Sequence, residues 1–262
     1  MSPDPRADTR IVLITGAGSG IGRALALRAA ADGAFLVLVG RRADKLDETA
    51  RLAGTGAGTA VFPMDVTSED DCRRLTLEIE HRFGRLDVLV NNAGVVAVGP
   101  VEALTADGVD RLLRTNLGGP INLTRHLLPL LNEGRRGQIV NVGSMLGDIG
   151  LPLFAAYSAT KFGLRGWSDA LRRELRPQGI RVSYAAPRAT RTDAATAFDH
   201  LIEPFAMKVD APAAVAGRIW RLVRRGRGNL YPVGMESVAR VLQAVAPRLV
   251  DLGIASQLRR VR

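Results

Sequence analysis

Residues 11–22 read Ile11-Val12-Leu13-Ile14-Thr15-Gly16-Ala17-Gly18-Ser19-Gly20-Ile21-Gly22, and this stretch decides the fold. Ile11–Ile14 is wholly apolar, which suits a short strand buried on both faces of a parallel sheet. Ile21–Ala31, rich in Ala, Leu and Arg, reads as a helix closed by Gly33. A strand that turns through glycines into a helix lets the backbone approach a ligand and directs free N–H groups at an anion such as a pyrophosphate. The pattern is T-G-x-x-x-G-x-G and departs from G-x-G-x-x-G, because the sixth residue counted from Gly16 is Ile21.

The same alternation extends along the chain. Phe35–Val39 repeats the buried-strand signature. A helix at about 43–52 leads to a strand at 59–62, and Ser68–Phe83, with Ser68 as N-cap and Asp70 and Asp71 in its first turn, leads to a strand at 86–90. Helical stretches at about 105–131, 154–176 and 211–225 lead to strands at 138–142, 180–184 and 229–231. These seven strand signals predict an α/β fold, a Rossmann-like doubly wound seven-stranded parallel sheet with helices on both faces and ligands at the carboxyl ends of the strands. With no internal repeat and no linker-like shift in composition, residues 1–262 read as a single domain.

Composition narrows the function classes. The 36 Lys+Arg exceed the 26 Asp+Glu, for a net charge of +10. Lysine occurs only at 45, 161 and 208, so the basic side is arginine, as GC-rich codon usage produces. These arginines are spread beside acids, as in Arg73, Arg74 and Glu78, which reads as solvated helix faces and argues against nucleic-acid binding. Cys72 is the only cysteine, which excludes a disulfide framework and a Cys-cluster metal site. His81, His126 and His200 have no ligand spacing, so no metal is expected. No apolar run approaches the roughly 18 to 20 residues of a membrane span. The polar start at 1–10 resembles neither a signal nor a transit sequence. A soluble, cytoplasmic protein is expected.

The second strand ends Val39-Gly40-Arg41-Arg42, with no acid before Asp44. An acid here grips the ribose 2′-hydroxyl of NAD, whereas arginine accommodates the 2′-phosphate of NADP. Two guanidiniums favour NADP through charge-assisted hydrogen bonds. The alternative is that both arginines only cap a loop.

Tyr157 and Lys161 stand at i and i+4, on one face of a predicted helix. A tyrosine titrates near pH 10, and an adjacent ammonium lowers that value by stabilising the phenolate, which makes a usable acid/base. Ser144 lies just past the strand at 138–142, where a hydroxyl can hydrogen-bond a substrate carbonyl. Taken alone, it could equally be a capping serine.

In this order and spacing, Thr15–Gly22, Asn91-Asn92-Ala93-Gly94, Asn116, Ser144 and Tyr157-x-x-x-Lys161 resemble the short-chain dehydrogenase/reductase family, over about residues 8–192. Asp65-Val66 resembles its adenine-contacting pair. The resemblance implies an oxidoreductase in which Tyr157 exchanges a proton with the substrate oxygen and Ser144 polarises it. Lys161 binds the nicotinamide ribose, and Asn116 holds a water of the proton relay. Gly16, Ser19, Gly20, Ile21, Gly22, Arg41, Arg42 and Asn91–Gly94 contact the cofactor, together with Pro187, Thr190 and Thr192. A homo-oligomer and a small carbonyl or alcohol substrate are implied. One position departs from the family pattern, since Arg188 replaces the usual glycine after Pro187. Either the loop takes another path or Arg188 contacts cofactor or substrate.

Val95, Val96, Met145, Leu146, Ile149, Leu151 and Phe154 are expected to line the substrate cleft, with a mobile lid at about 193–210. The lid's Phe198, Leu201, Ile202, Phe205 and Met207 recur at near-helical spacing. That stripe fits core packing more often than recognition of an apolar, bulky substrate. The tail at about 235–262 is amphipathic and ends in Arg259, Arg260 and Arg262, which suits packing on the core or a second subunit more often than a membrane surface. A non-catalytic dinucleotide sensor and a peripheral membrane lipid carbonyl reductase are the alternatives to a catalytic reductase.

Overall fold

Ile11–Thr15 forms β1, and all five of its residues are buried. A computed structural model describes residues 8–54, 56 and 58–259. The strands β2 (Phe35–Gly40), β3 (Thr59–Pro63), β4 (Val88–Asn91), β5 (Gln138–Val142) and β6 (Arg181–Ala185) join β1 in the order β3-β2-β1-β4-β5-β6. Every pairing is parallel. The order reverses at β1 and β4, which opens a crevice at their carboxyl ends.

Successive side chains of these apolar strands point to opposite faces, so each strand feeds two cores. Leu13, Val37, Leu89 and Ile139 pack with Leu75 of α3 (Glu69–Phe83), Leu123 and Leu127 of α5 (Gly119–Asn132) and Leu171 of α6 (Ala155–Glu174). Val12, Ile14, Leu36, Leu38, Val90 and Val140 pack with Leu25 of α1 (Gly20–Ala31) and with Ile219 and Trp220 of α8 (Pro212–Arg225). The Trp220 indole N–H donates to Asp32 at 2.6 Å, fastening α8 to the end of α1. α2 (Ala43–Ala53) and α4 (Ala106–Leu113) complete the crossovers, α7 (Asp199–Ile202) lies in the lid segment, and α9 (Met235–Val245) and α10 (Pro247–Leu258) form the tail. Ser68 caps α3 as expected, its hydroxyl accepting the Asp71 N–H at 3.2 Å.

One expectation needs correction, and one is refined. Among the described residues the sheet has six strands, because 229–231 contributes only an isolated bridge between Leu230 and Ala185. Asn229 Oδ1 accepts the Tyr184 N–H at 3.0 Å, taking a donor that a longer ladder needs for backbone pairing. Pro232 offers no N–H to continue it. The helical stretch expected at 105–131 is present and unbroken, but a π-turn, Arg114–Gly118, joins α4 to α5 within it. Gly118, Gly119 and Pro120 mark the place of the π-turn in the sequence. Residues 1–7, Arg260 and Arg262 lie outside the described residues. Among the described residues, no helix is long and apolar enough to cross a membrane.

Candidate active site

The glycine turn between β1 and α1 is built by backbone conformation. Gly16 and Gly20 adopt φ of +65° and +53°, left-handed values that strain other residues. A Cβ at Gly22 would overlap the Gly16 carbonyl oxygen. Ser19 caps α1 without a side-chain hydrogen bond, and no acid occupies the first turn. An anion is therefore favoured by the helix dipole and unopposed by local charge.

Side chains around the turn hold it in place. Arg23 donates from Nη2 to the Gly18 carbonyl at 2.6 Å and pairs with Glu48 on α2 at 2.8 Å. The Thr15 hydroxyl accepts the N–H groups of Asn92 and Ala93, both at 2.9 Å, and Asn92 Nδ2 donates to the Thr15 carbonyl at 2.9 Å. These bonds join the carboxyl ends of β1 and β4. Arg41 and Arg42 stand exposed beside the turn, and Arg42 reaches Ser19 Oγ at 3.4 Å. The cradle, the bare helix start and the two exposed guanidiniums fit the dinucleotide expected from the sequence.

Ser144 and Tyr157 meet at the next sheet edge. Ser144 follows β5, and its Oγ accepts the Leu146 N–H at 3.1 Å, which leaves its own proton for another partner. Tyr157, in the first turn of α6, lines the same cleft as Ser144. One turn on, Lys161 Nζ donates to the Val142 carbonyl at 3.3 Å and lies 5.6 Å from the Tyr157 ring centre. Burial pushes the Tyr157 phenol up to about 12, against the lowering influence of Ser144. Burial likewise brings the Lys161 ammonium down to about 8. The tyrosine is thus raised and not lowered as the sequence predicts, because burial dominates and Ser144, not Lys161, supplies the opposing influence. Asn116, fully buried in the π-turn, is held by Val95, its Oδ1 accepting the Val95 N–H at 2.8 Å, and by a bond from Nδ2 to Thr160 at 3.1 Å.

A single cleft of about 1070 Å³ runs from the glycine turn past Ser144, Tyr157 and Lys161 to an apolar chamber. Gly16, Ser19, Gly20, Ile21, Arg41, Arg42, Asp65, Val66, Asn92, Ala93 and Gly94 line it, as do Pro187, Thr190 and Thr192. All seven residues expected at the substrate end line it too. Three expected residues stand behind the wall. Gly22 packs on Gly16, Asn116 binds Val95, and Asn91 turns into the core to bond Asn141 at 2.8 Å.

The apolar stripe of the lid segment is shared between the core and the cleft wall. Leu201 and Phe205 pack on Phe154, while Phe198, Phe205 and Met207 face the cleft. Its ends are pinned together by a bridge between Thr190 and Asp210. Arg188 keeps a negative φ, so the loop needs no glycine there, and its side chain is ion-paired with Asp210 at 3.3 Å and with Glu236 of α9 at 2.9 Å.

The sequence reading missed the tail's contribution to this cleft. Glu236, Leu242, Val250 and Ile254 line its far end, while Val238, Val241, Val245, Leu249 and Leu252 form an exposed outer stripe. The signal was present as two offset apolar spacings in the tail, carried on α9 and α10, only one of which a core requires.

Comparison with known proteins agrees with this geometry. Residues 10–201 match the family described as short chain dehydrogenase. The chain is 33% identical over 252 residues to 11-beta-hydroxysteroid dehydrogenase-like 3 of Arabidopsis thaliana, covering 94% of this chain and 80% of that protein. It is 30% identical to ketoacyl reductase HetN of Nostoc sp. over 92% of this chain and 87% of that protein. Among solved structures, a short-chain dehydrogenase from Streptomyces avermitilis superposes with a TM-score of 0.80 at 30% identity, over 95% of this chain and 98% of that one. A 3-ketoacyl-(acyl-carrier-protein) reductase from Brucella melitensis complexed with NADH gives 0.76 at 31% identity, over 81% and 90% of the two chains.

Proposed function

Because the chain belongs to the short-chain dehydrogenase family, and is thereby an oxidoreductase on a fold that binds a nicotinamide dinucleotide, we propose that it interconverts a ketone or aldehyde with an alcohol, using NADP and an apolar or bulky substrate. The observation that carries this reading is a single cleft that joins the glycine turn to an apolar chamber and is lined between them by Ser144, Tyr157 and Lys161.

The bound nicotinamide supplies or accepts the hydride, and the residues of this chain orient the reactants and handle the proton. Gly16–Ile21 hold the pyrophosphate at the start of α1. Arg41 and Arg42 take the 2′-phosphate, while Asp65 and Val66 take the adenine. Lys161 reaches the ribose hydroxyls. In reduction the Tyr157 O–H gives its proton to the substrate oxygen as negative charge builds there, and Ser144 donates a hydrogen bond to the same atom. A phenol held at about 12 is fully protonated at neutral pH, as an acid must be. Asn116 fixes Val95 against the chamber and steadies Thr160 in the turn before Lys161.

The apolar chamber and the relatives named for ketoacyl and hydroxysteroid substrates support a bulky carbonyl compound. The cofactor preference rests on Arg41 and Arg42, since one neighbour is complexed with NADH. The complete Asn116, Ser144, Tyr157, Lys161 set favours catalysis over a purely sensing role. For Tyr157→Phe, turnover should be abolished in a nicotinamide absorbance assay with ketones and alcohols of graded size, while NADPH still binds. Near-normal turnover in that variant defeats the mechanism.

A further inference from the structure

Tyr184, on β6, is fully buried and stands behind the reacting groups, outside the cleft lining. Its ring lies among Met145, Leu164 and Ala186, an apolar setting in which a phenol hydroxyl needs partners. The partners are main-chain atoms of the proposed site. The hydroxyl accepts the Ser144 N–H at 3.2 Å and donates to the Ser144 carbonyl oxygen at 3.1 Å, with the Lys161 carbonyl oxygen at 3.5 Å. One hydroxyl thus spans both peptide groups of a single residue.

Two glycines make this approach possible. A Cβ at Gly143 would overlap the Tyr184 ring, and a Cβ at Gly147 would overlap its hydroxyl. The loop after β5 therefore has small residues on both sides of Ser144, shaped to the tyrosine behind it. Ser144 itself is extended, with φ −163°, and its side chain is fixed by the Leu146 N–H. Without the Tyr184 hydroxyl, the Ser144 peptide groups lose the only side-chain partner recorded for them among the described residues.

We propose that Tyr184 is a positioning residue, whose hydroxyl clamps the Ser144 main chain and so sets the Ser144 side chain at the substrate oxygen that Tyr157 protonates. This rests on the roles proposed above for Ser144 and Tyr157. A misplacement of about 1 Å at a reacting centre can cost up to about a hundredfold in rate. Loss of a clamp one residue removed from the chemistry should cost about tenfold.

The test is Tyr184→Phe, which keeps the ring and removes one atom. Single-turnover NADPH oxidation, with enzyme in excess over an aromatic ketone, should slow about tenfold, with KM and NADPH affinity within about twofold of wild type. In a Ser144→Ala background the same change should cost nothing further, because the residue acts through Ser144. Tyr231→Phe, a neighbouring ring with its centre 6.5 Å away, serves as the packing control and should leave the rate unchanged. If Tyr184→Phe does not fold, Gly143→Ala/Tyr184→Val refills the space from the other side, also without the hydroxyl, and must show the same loss. An unchanged rate in the folded variant, or an undiminished tenfold loss in the Ser144→Ala background, overturns the proposal. Full activity in Ser144→Ala and Tyr157→Phe would instead defeat the reading of the site itself.

Discussion

The two ends of the cleft are built by different means. At the glycine turn, backbone conformation and main-chain hydrogen bonds set the surface, through Gly16, Gly20, Gly22 and the Thr15–Asn92 seam. At the far end, side chains set it, through the Phe154–Leu201–Phe205 cluster and the ion pairs that join Arg188 to Asp210 and Glu236. Backbone-built surfaces tolerate few residue types at each position, whereas a side-chain-built wall can be rebuilt from many combinations. The first end should be intolerant of substitution in cofactor binding, and the second should tune substrate choice at small cost to the cofactor.

Gly22→Ala gives the largest expected effect. Its Cβ meets the Gly16 carbonyl oxygen, a backbone atom that can yield only if the whole turn shifts. Overpacking of this kind costs about 1 to 3 kcal/mol in stability, and displacement of the turn should weaken NADPH by about a hundredfold, each kcal being counted at tenfold per 1.4 kcal/mol. Leu242→Ala, at the other end of the same cleft, should leave NADPH affinity within about twofold. Thermal unfolding and fluorescence titration measure both. Similar losses of NADPH affinity in the two variants would erase the distinction between the ends.

Next in size is Arg41→Ala. A hydrogen bond to a charged group is worth about 1.5 to 3 kcal/mol, so NADPH should weaken by about 10- to 100-fold while NADH changes by less than about threefold. Equal losses for the two cofactors would place Arg41 outside the 2′-phosphate site. Measuring Arg42→Ala in parallel divides the work between the two guanidiniums, since only Arg42 reaches Ser19.

The same contrast explains what was legible in the sequence. Glycine-rich turns, the i, i+4 pair Tyr157 and Lys161, and the buried strands are local patterns, so the fold and the cleft-facing residues from Gly16 to Thr192 could be read before the structure. Four features could not. The seventh strand fails because the Asn229 side chain takes a ladder position. The π-turn at 114–118 needs the packing of α4, α5 and Val95 around Asn116. Asn91 reads as part of a cofactor motif, yet its amide is spent on Asn141 and Thr124. Arg188 looked anomalous only because its partners, Asp210 and Glu236, lie far along the chain.

Between the two ends lies Lys161, and pH tests its burial. Its ammonium falls to about 8 in the folded protein from 10.5. Between these values the unfolded chain binds more protons than the folded one, so stability rises with pH across that window. Tyr157 moves the other way. Its folded phenol stays protonated to about 12 against 10 for the free group, so its contribution falls as pH climbs above 10. Urea unfolding of cofactor-free protein from pH 8 to 10 should show the rise, and Lys161→Met should flatten it. Burial also raises the Cys72 thiol from 9.0 to about 11, which opposes the rise above pH 9, so a wild-type profile that coincides with that of Lys161→Met would mean that the lysine is hydrated in the folded state.

The smallest expected effect is Glu236→Gln. The carboxylate sits in the first turn of α9, where it faces both the Arg188 guanidinium and the helix N-terminus, so neutralising it weakens two attractions at once. Arg188 keeps Asp210, which limits the damage to the attachment of α9. Because α9 and α10 contribute Leu242, Val250 and Ile254 to the chamber, a looser attachment should alter KM for the bulkiest ketones by about two- to fivefold. Small ketones, which need not reach that wall, should be unaffected, as should NADPH affinity. A KM change that is the same for large and small ketones would show that Glu236 acts through the lid base at Asp210 and not through the tail.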